Sequence, residues 1–286
     1  MEKITCPNTI AILMATYNGE KYLCEQIDSL LAQTCQHWHL YIHDDGSKDN
    51  TLAIIREYIT KQPDRITCLE YPSQGGACLN FLSLLDKVDA DYYMFCDQDD
   101  VWKSDKVEKE YQRIQDLERR HPELPVIVNT DLEVVDEKLL TLHPSFWEYE
   151  GIVPEWLTSF EHYAAVNAVT GCTMMMNDLA KRVVKKPYDR AMMHDAWITL
   201  SVVAAEGIVD YLREPLILYR QHGSNTLGAR SVRMLTWKYR LENILTIFRL
   251  NKQHYQQMSS IHPLSLSAYL SMKIKYRLFL KKRGRT

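Results

Sequence analysis

This 286-residue sequence lacks the features that mark several common classes of protein. It has no uninterrupted apolar run of the roughly 18 to 20 residues that a membrane-spanning helix needs, and residues 1–7 lack the apolar length of a secretory signal. Its seven cysteines are scattered, odd in number and without a C-x-x-C pair, so neither a zinc site nor a disulfide framework is expected. These absences predict a cytoplasmic globular protein of one large domain or two closely packed domains.

Acidic residues are nearly absent from the C-terminal part of the chain. Thirteen of the 34 Lys and Arg residues follow Thr226, whereas only one of the 37 acidic residues, Glu242, does. The basic residues alternate with aromatic and aliphatic ones, which predicts a helical, basic region over 226–286. Such helices can lie on an anionic membrane surface, or they can pack on the catalytic body or on a second subunit of a homodimer. Nucleic-acid binding is not expected, because no recognised motif accompanies the charge.

Short apolar runs alternate with helical periodicity over the first hundred residues. The predicted strands are residues 10–15, 38–42, 66–71 and 91–96. Helices are predicted between these strands, a pattern typical of a parallel sheet with helices on both faces. Farther along, helices are predicted over about 105–118 and 194–205, and a strand over 126–129. The predicted fold class is therefore α/β, with a mostly parallel central sheet flanked by helices.

Three carboxylates, Asp97, Asp99 and Asp100, crowd the turn after the fourth predicted strand. Like charges at the end of a buried strand repel, so a cation between them is favoured. Mg²⁺ or Mn²⁺ takes oxygen ligands and leaves positions open for phosphates, which indicates a nucleotide or sugar-nucleotide substrate. A solvated acidic turn that caps the next helix is the ordinary alternative. Ligands of open α/β sheets bind beyond the carboxyl ends of strands, where residues 16–18 and 44–45 would also emerge.

With these motifs placed, the chain resembles family 2 glycosyltransferases of the GT-A fold over about residues 8–225. The segments that carry the resemblance are Ala15-Thr16-Tyr17-Asn18-Gly19, Asp44-Asp45-Gly46-Ser47-Lys48-Asp49, Asp97-Gln98-Asp99-Asp100-Val101-Trp102, Gly171-Cys172, His194-Asp195 and Tyr219-Arg220-Gln221-His222. The resemblance implies an inverting, metal-dependent transfer of a sugar from a nucleotide donor. It also implies a catalytic domain over 1–225, with a nucleotide-binding half over 1–100 and an acceptor-binding half over 101–225.

The resemblance implies a role for each segment. Asp195 matches the general base that removes a proton from the acceptor hydroxyl, although an Asp before a helix is more often an N-cap. The expected metal ligands are Asp97, Asp99 and His222, and the expected diphosphate ligand is Arg220. The residues expected to bind the nucleotide are Thr16, Tyr17, Asn18, Asp45 and Asp97. The residues expected near the donor and acceptor sugars are Asp100, Trp102, Gly171, Cys172, His194 and Trp197.

Two of these assignments also follow from chemistry, and one stays open. A uracil or thymine ring offers a flat face and an N3–H donor, which Tyr17 and Asp45 suit. The ordinary alternatives are a core aromatic for Tyr17 and a turn-forming pair for Asp44-Asp45. Asp100 could orient the donor sugar or cap a helix that starts near Lys103.

Family members with similar Asp-Gln-Asp-Asp-Val-Trp and Tyr-Arg-Gln-His segments include bacterial rhamnosyltransferases of surface polysaccharide synthesis. This resemblance implies dTDP-rhamnose as the donor and a glycan or polyprenyl-linked glycan as the acceptor, at the inner face of the plasma membrane. Transfer of glucose, galactose or an N-acetylhexosamine from a UDP-sugar is the alternative. A non-catalytic, membrane-associated nucleotide-binding scaffold is a further alternative, opposed by the presence of candidates for both metal ligand and base. A dinucleotide oxidoreductase is excluded because no G-x-G-x-x-G follows the first strand.

Overall fold

The computed structural model describes residues 9–223 and 244–283, which form a nine-stranded sheet with helices on both faces. The strands are β1 Ile10–Thr16, β2 Trp38–Asp44, β3 Ile66–Cys68, β4 Tyr92–Cys96, β5 Val101–Trp102, β6 Val126–Val135, β7 Thr141–His143, β8 Met175–Asn177 and β9 Ile208–Arg220. Their order is β3-β2-β1-β4-β8-β6-β9-β5, and β7 pairs with β6. The predicted α/β class is therefore confirmed.

The helices cover both faces of this sheet with apolar stripes at helical spacing. They are α1 Leu23–Leu31, α2 Thr51–Lys61, α3 Ala77–Lys87, α4 Lys106–Arg120, α5 Phe146–Glu150, α6 Phe160–Ala165, α7 Asp178–Val183, α8 His194–Ala204, α9 Ile244–Ile261 and α10 Leu266–Lys282. In α4, for example, Val107, Tyr111 and Ile114 recur every three or four residues and are buried on one face of the sheet. Helix α3 packs on the other face through Phe81 and Leu85.

Strands β3, β2, β1 and β4 are parallel, whereas much of the rest of the sheet is antiparallel. The apolar run from Ile10 to Met14 is fully buried, as a central parallel strand between two layers of helices must be. Strand β8 runs antiparallel to both β4 and β6. The predicted parallel pairing holds for the first half and for the long pair of β6 and β9, whereas β5, β7 and β8 pair antiparallel with their neighbours.

The two C-terminal helices pack on the catalytic body through one face each. Met258, Ile261 and Tyr269 are buried in the same core as Phe160 of α6. The Tyr276 hydroxyl donates to the carbonyl of Gly151 at 2.6 Å and accepts from the Val153 N–H at 3.0 Å. One face of these helices is therefore in contact with the rest of the chain, and the membrane and packing alternatives for the basic region stay predictions. The rest of that region, residues 226–243 and 284–286, lies outside the described residues, and the predicted domain boundaries stay predictions.

None of the helices formed by residues 9–223 and 244–283 has both the length and the hydropathy needed to cross a bilayer.

Candidate active site

The carboxyl ends of β1, β2 and β4 bring the three polar segments to one edge of the sheet. Thr16 at the end of β1 lies opposite Asp44 at the end of β2, and Met14 of β1 lies opposite Cys96 of β4. The backbone N–H of Asp45 donates to the Thr16 carbonyl at 2.8 Å, which ties the first two loops together. The acidic turn that follows Cys96 emerges next to them, as the sequence predicts.

The first aspartate of the Asp44-Asp45 pair serves the fold. Its carboxylate accepts hydrogen bonds from the Thr16 hydroxyl at 2.9 Å and from the backbone N–H groups of Gly46 and Ser47 at 3.1 and 2.8 Å. Thr16 is only 2% exposed. The hydroxyl of Thr16 is thus directed at Asp44, and the contact of Thr16 with the nucleotide stays a prediction.

The second aspartate, Asp45, is held by a loop rich in N–H donors. Its Oδ1 accepts from the Ser73 hydroxyl at 2.8 Å and from the Gln74 N–H at 2.5 Å, and its Oδ2 accepts from the Gly76 N–H at 2.7 Å. Although burial opposes ionisation, these hydrogen bonds keep the pKa of Asp45 below its ordinary value. Each carboxylate oxygen can accept about two hydrogen bonds. Oδ2 therefore retains capacity for one more donor, such as the N3–H of a pyrimidine base.

Tyr17, the predicted base-stacking residue, is 53% exposed, and its backbone is clamped by the acidic turn. The Tyr17 N–H donates to Oε1 of Gln98, and Nε2 of Gln98 donates to the Tyr17 carbonyl, both at 3.0 Å. Asn18 adopts a left-handed backbone conformation with φ 48°, accepts from the Lys48 N–H at 2.8 Å and donates its own N–H to the Ser47 hydroxyl. Asn18 therefore positions the two loops that flank Tyr17.

The clamp by Gln98 explains why Gly19 must lack a side chain. A Cβ at Gly19 would lie 2.2 Å from Oε1 of Gln98. We expect Gly19→Ala to displace the Gln98 amide and to raise the KM for the nucleotide donor by up to about thirtyfold, because two hydrogen bonds worth about 1 kcal/mol each are lost. Steady-state kinetics at varied donor concentration measures this effect.

Adding Gln98→Ala to Gly19→Ala provides the control for this prediction. The double variant should have the same KM as Gln98→Ala alone, because the amide that the added methyl group would displace is gone. Fully additive effects of the two substitutions would show that Gly19 acts by another route.

The carboxylates of Asp97 and Asp100 share one cluster with the thiol of Cys172, with ligand atoms within 4.8 Å of one another. Burial and the neighbouring charges of Asp99 and Asp195 raise the pKa of Asp97 to about 7. Burial and the charges of Asp99 and Asp97 also raise the pKa of Asp100. One oxygen of Asp100, Oδ2, is buried without a hydrogen-bond partner among the described residues. These carboxylates therefore form a partly buried, repulsive cluster that a cation would stabilise.

The geometry of Asp99 and His222 fits a divalent cation. Nε2 of His222 lies 2.8 Å from Oδ2 of Asp99. Neighbouring ligands of an octahedral ion with bonds of about 2.1 Å lie about 3 Å apart, so one ion could bind both side chains. Burial and the charges of Asp100 and Asp97 raise the pKa of the Cys172 thiol, so it stays protonated, and a hard cation prefers oxygen. The donor set thus suits Mg²⁺ or Mn²⁺ better than a thiophilic metal.

Arg220 is engaged by the protein, in contrast to its predicted contact with the diphosphate. The residue is 1% exposed, and its Nε donates to the Asp99 carbonyl at 2.8 Å, while Nη1 donates to the Glu137 carbonyl at 2.7 Å. Nη2 forms an ion pair with Glu25. The Arg220 N–H also donates to Oδ1 of Asp100 at 3.1 Å. This arrangement favours a role for Arg220 in holding the acidic turn against β9, and it shows that Asp100 does not cap α4.

Asp195 lies in the first turn of α8 and is 5% exposed. Its Oδ2 accepts from the Gly171 N–H at 3.1 Å, and its Oδ1 accepts from the Ala196 N–H at 2.5 Å. Burial raises the pKa of Asp195 to about 6, against the opposing effect of hydrogen bonds from Ala196, Gly171 and Asn167. The carboxylate is therefore held in place, ionised at neutral pH and more basic than an ordinary Asp.

His194 lies beneath Gly171 and packs among aromatic rings. A Cβ at Gly171 would lie 2.2 Å from Nε2 of His194, which explains the glycine. The imidazole contacts Phe81 and Phe95, with ring centroids 4.3 and 5.0 Å away, and burial lowers its pKa to about 3. Neither ring nitrogen has a hydrogen-bond partner in the part of the chain that the structure describes. His194 is therefore a neutral ring in the floor of the site.

The two tryptophans predicted near the sugars are core residues. Trp102 is 2% exposed and stacks under the ammonium group of the buried Lys106, which lies 4.1 Å from its ring centroid. Trp197 is also 2% exposed, and its indole N–H donates to the Lys185 carbonyl at 2.8 Å. Both indoles are thus engaged in packing, and their predicted position near the sugars stays a prediction. Both rings fill space in the apolar core between the helices and the sheet.

Some residues of the site escaped the sequence analysis. Gln98 lies between Asp97 and Asp99 in the acidic motif. Its uncharged amide among carboxylates was the signal that this side chain positions other groups of the site. The Ser73–Gly76 loop was assigned no role from the sequence, yet its N–H groups hold Asp45. Asn167, which donates to Asp195 at 3.5 Å, carries no local signal in the sequence, because its position depends on the packing of an irregular segment.

Comparisons with known proteins agree with this geometry. Residues 11–166 match the model of the family described as glycosyl transferase family 2. The dTDP-rhamnosyl transferase RfbG of Shigella flexneri is 30% identical over 228 residues, which cover 76% of this chain and 74% of RfbG.

Two solved structures share the fold at low sequence identity. S. aureus TarS 1-349 in complex with UDP has a TM-score of 0.55 at 16% identity and covers 88% of this chain and 70% of its own. The mannosyltransferase PcManGT from Pyrobaculum calidifontis, in complex with GDP-Man and Mn²⁺, has a TM-score of 0.58 at 13% identity, over 99% of this chain and 79% of its own. The fold is GT-A, and the chain belongs to glycosyl transferase family 2.

Proposed function

We propose that this glycosyltransferase transfers L-rhamnose from dTDP-rhamnose to a glycan or polyprenyl-linked glycan in bacterial cell-surface polysaccharide synthesis. The observation that carries the choice of donor is the 30% identity to a dTDP-rhamnosyl transferase over 76% of the chain. We further propose that the enzyme works on the cytoplasmic side of the plasma membrane. The contact with the membrane is proposed to be made by an exposed surface of helix α10.

The proposed reaction is a single displacement with inversion at the anomeric carbon. Asp195 accepts the proton of the acceptor hydroxyl while the hydroxyl oxygen forms its bond to the anomeric carbon and the bond from that carbon to the diphosphate oxygen breaks. The hydrogen bonds from Gly171 and Ala196 hold the Asp195 carboxylate in one orientation. Its pKa of about 6 places it near the optimum for a base that works at neutral pH.

Asp97, Asp99 and His222 are proposed to hold a divalent cation, with Asp100 behind them. When bound, the ion supplies positive charge against the nucleoside diphosphate that departs. Two observations support this cation site. Oδ2 of Asp100 is buried without a hydrogen-bond partner among the described residues, and Nε2 of His222 lies 2.8 Å from Oδ2 of Asp99. Tyr17 and Asp45 are proposed to bind the base.

A second donor class has its own support. One structural neighbour, S. aureus TarS, has been solved with UDP-GlcNAc, so transfer of a UDP-linked sugar is the alternative. Both dTDP and UDP present the N3–H that Asp45 could accept, so the base alone does not separate them.

A donor panel separates the two classes. We expect the full-length protein with Mn²⁺ to hydrolyse dTDP-rhamnose faster than UDP-glucose, UDP-galactose and UDP-GlcNAc, and to be thermally stabilised most by dTDP-rhamnose, because a fitted sugar adds contacts beyond the nucleotide. Product analysis by NMR should then show the anomeric configuration opposite to that of the donor. Turnover restricted to a UDP-sugar would replace rhamnose in the proposal, and a retained configuration would contradict the displacement by Asp195.

A further inference from the structure

Helix α10 packs on the body through one face and leaves a second face exposed. Tyr269, Tyr276 and Leu280 are buried, and they lie within a narrow arc of the helix. A ridge that begins about 60° from the centre of this arc and turns to the opposite side of the helix carries large aliphatic side chains that are about half exposed. These are Leu266, Leu270, Ile274 and Leu278, which are 50%, 45%, 57% and 56% exposed. Their spacing of four residues gives a continuous apolar stripe along the helix.

Basic side chains lie within and beside this apolar stripe. Lys275, Arg277, Lys281 and Lys282 are all exposed. At 100° per residue, Arg277 and Lys281 fall between the leucines, and Lys275 and Lys282 fall at one edge. We name the four aliphatic and four basic residues together the apolar-basic face.

The composition of the apolar-basic face identifies the occupant that fits it. Neither α9 nor α10 contains an acidic residue, so no carboxylate of these two helices offsets the positive charge of the face. A second copy that docked through the same face would bring two rows of positive charge together, which opposes self-association. Long basic side chains can extend outward while aliphatic ones insert beside them, as at the surface of an anionic bilayer.

The last two helices are joined to the body by hydrogen bonds and ring packing. The Tyr276 hydroxyl bridges the backbone of Gly151 and Val153 at 2.6 and 3.0 Å, and its ring packs against Trp156 at 4.7 Å. On the adjacent helix, Gln257 accepts from the Met192 N–H at 2.7 Å, two residues before α8 begins with His194. A surface bound to the apolar-basic face would therefore hold the whole catalytic body in a fixed orientation.

We propose that the apolar-basic face of α10 binds the surface of an anionic phospholipid membrane, with its aliphatic residues inserted and its basic residues on the headgroups. A lipid-linked acceptor would then meet the active site at the bilayer, and this consequence rests on the proposed function. Binding of α10 to the membrane does not rest on the proposed function, because association with vesicles needs neither the donor nor the acceptor.

Co-sedimentation of the full-length protein with vesicles tests the proposal. We expect binding to vesicles of phosphatidylcholine mixed with phosphatidylglycerol, weaker binding at high salt, and no binding to phosphatidylcholine alone. Leu270→Glu/Ile274→Glu places two acids in the stripe and should lower the partition coefficient at least tenfold. Lys281→Gln/Lys282→Gln should lower it several-fold and provides a second variant that keeps the aliphatic surface intact.

The chain offers a matched control on another surface. Leu140 and Leu142 beside β7 are 63% and 59% exposed, so Leu140→Glu/Leu142→Glu adds the same charge to similar exposed leucines and should leave vesicle binding unchanged. An equal loss in this control, or wild-type binding by both α10 variants, would overturn the proposal. The proposal would also be overturned if the wild-type protein did not bind anionic vesicles and light scattering showed that it forms a dimer. In that case Leu270→Glu/Ile274→Glu should dissociate the dimer.

Discussion

Substitution of Asp195 by Asn is expected to lower kcat by about 10²- to 10⁴-fold, the range typical of a positioned general base, while the nucleotide donor still binds. Asn has a single acceptor oxygen, so it can keep only one of the hydrogen bonds from the Gly171 and Ala196 N–H groups that orient Asp195, and it cannot accept a proton from the acceptor hydroxyl. The measurement combines single-turnover kinetics with calorimetric titration of the nucleotide. Equal turnover in the variant would remove Asp195 from the mechanism.

The pH dependence gives the same prediction a second readout. The ionised Asp195 is the active form, and burial raises its pKa to about 6. The wild-type kcat/KM should therefore be fully developed above this pH and fall about tenfold per unit below it. The residual activity of Asp195→Asn should lack this acidic limb. An acidic limb unchanged in the variant would mean that another group titrates.

Asp178→Asn is the matched control for Asp195→Asn. Asp178 is likewise an acidic residue in the first turn of a short helix, where it forms an ion pair with Arg182. A loss of activity caused only by the removal of a first-turn carboxylate would appear in both variants. We expect it only for Asp195.

Substitution of Asp99 by Asn is expected to abolish the Mn²⁺ dependence of nucleotide binding. Removal of a residue that only hydrogen-bonds to a metal ligand typically weakens metal affinity by about 10- to 100-fold. Loss of a proposed ligand itself should weaken metal affinity by at least as much. In the wild-type protein, Mn²⁺ should raise Tm because it neutralises the repulsion among Asp97, Asp99 and Asp100. Calorimetric titration of dTDP with and without Mn²⁺, and thermal unfolding under the same conditions, measure both effects.

Asp105→Asn controls for a general effect of charge near the acidic turn. Asp105 lies just before α4 and pairs with Lys109 at 2.8 Å, with 41% of its side chain exposed. Its removal changes the net charge as Asp99→Asn does, yet it should leave the metal dependence intact. The metal assignment would be contradicted if Asp99→Asn, with and without Mn²⁺, bound the nucleotide as tightly as the wild-type protein does with Mn²⁺.

The sequence alone was sufficient for the first half of the fold. Buried parallel strands need continuous apolar runs, and the helices that connect them need an apolar stripe, so both patterns can be recognised without a structure. The second half followed these rules less closely. The short strand β8 runs antiparallel to its neighbours, and its direction depends on the irregular segment before it.

The sequence likewise determined which loops form the site, because the carboxyl ends of parallel strands must meet at one edge. It placed Asp45 and the Asp97–Asp100 turn on those loops and Asp195 at the start of a helix, and the family resemblance supplied their proposed roles. Only the tertiary structure decided where each side chain points. Trp102 and Trp197 lie in the core, Arg220 braces the acidic turn, and Gln98 clamps Tyr17. The direction of a side chain depends on the neighbours that packing brings from distant parts of the chain, and a local motif carries no record of them.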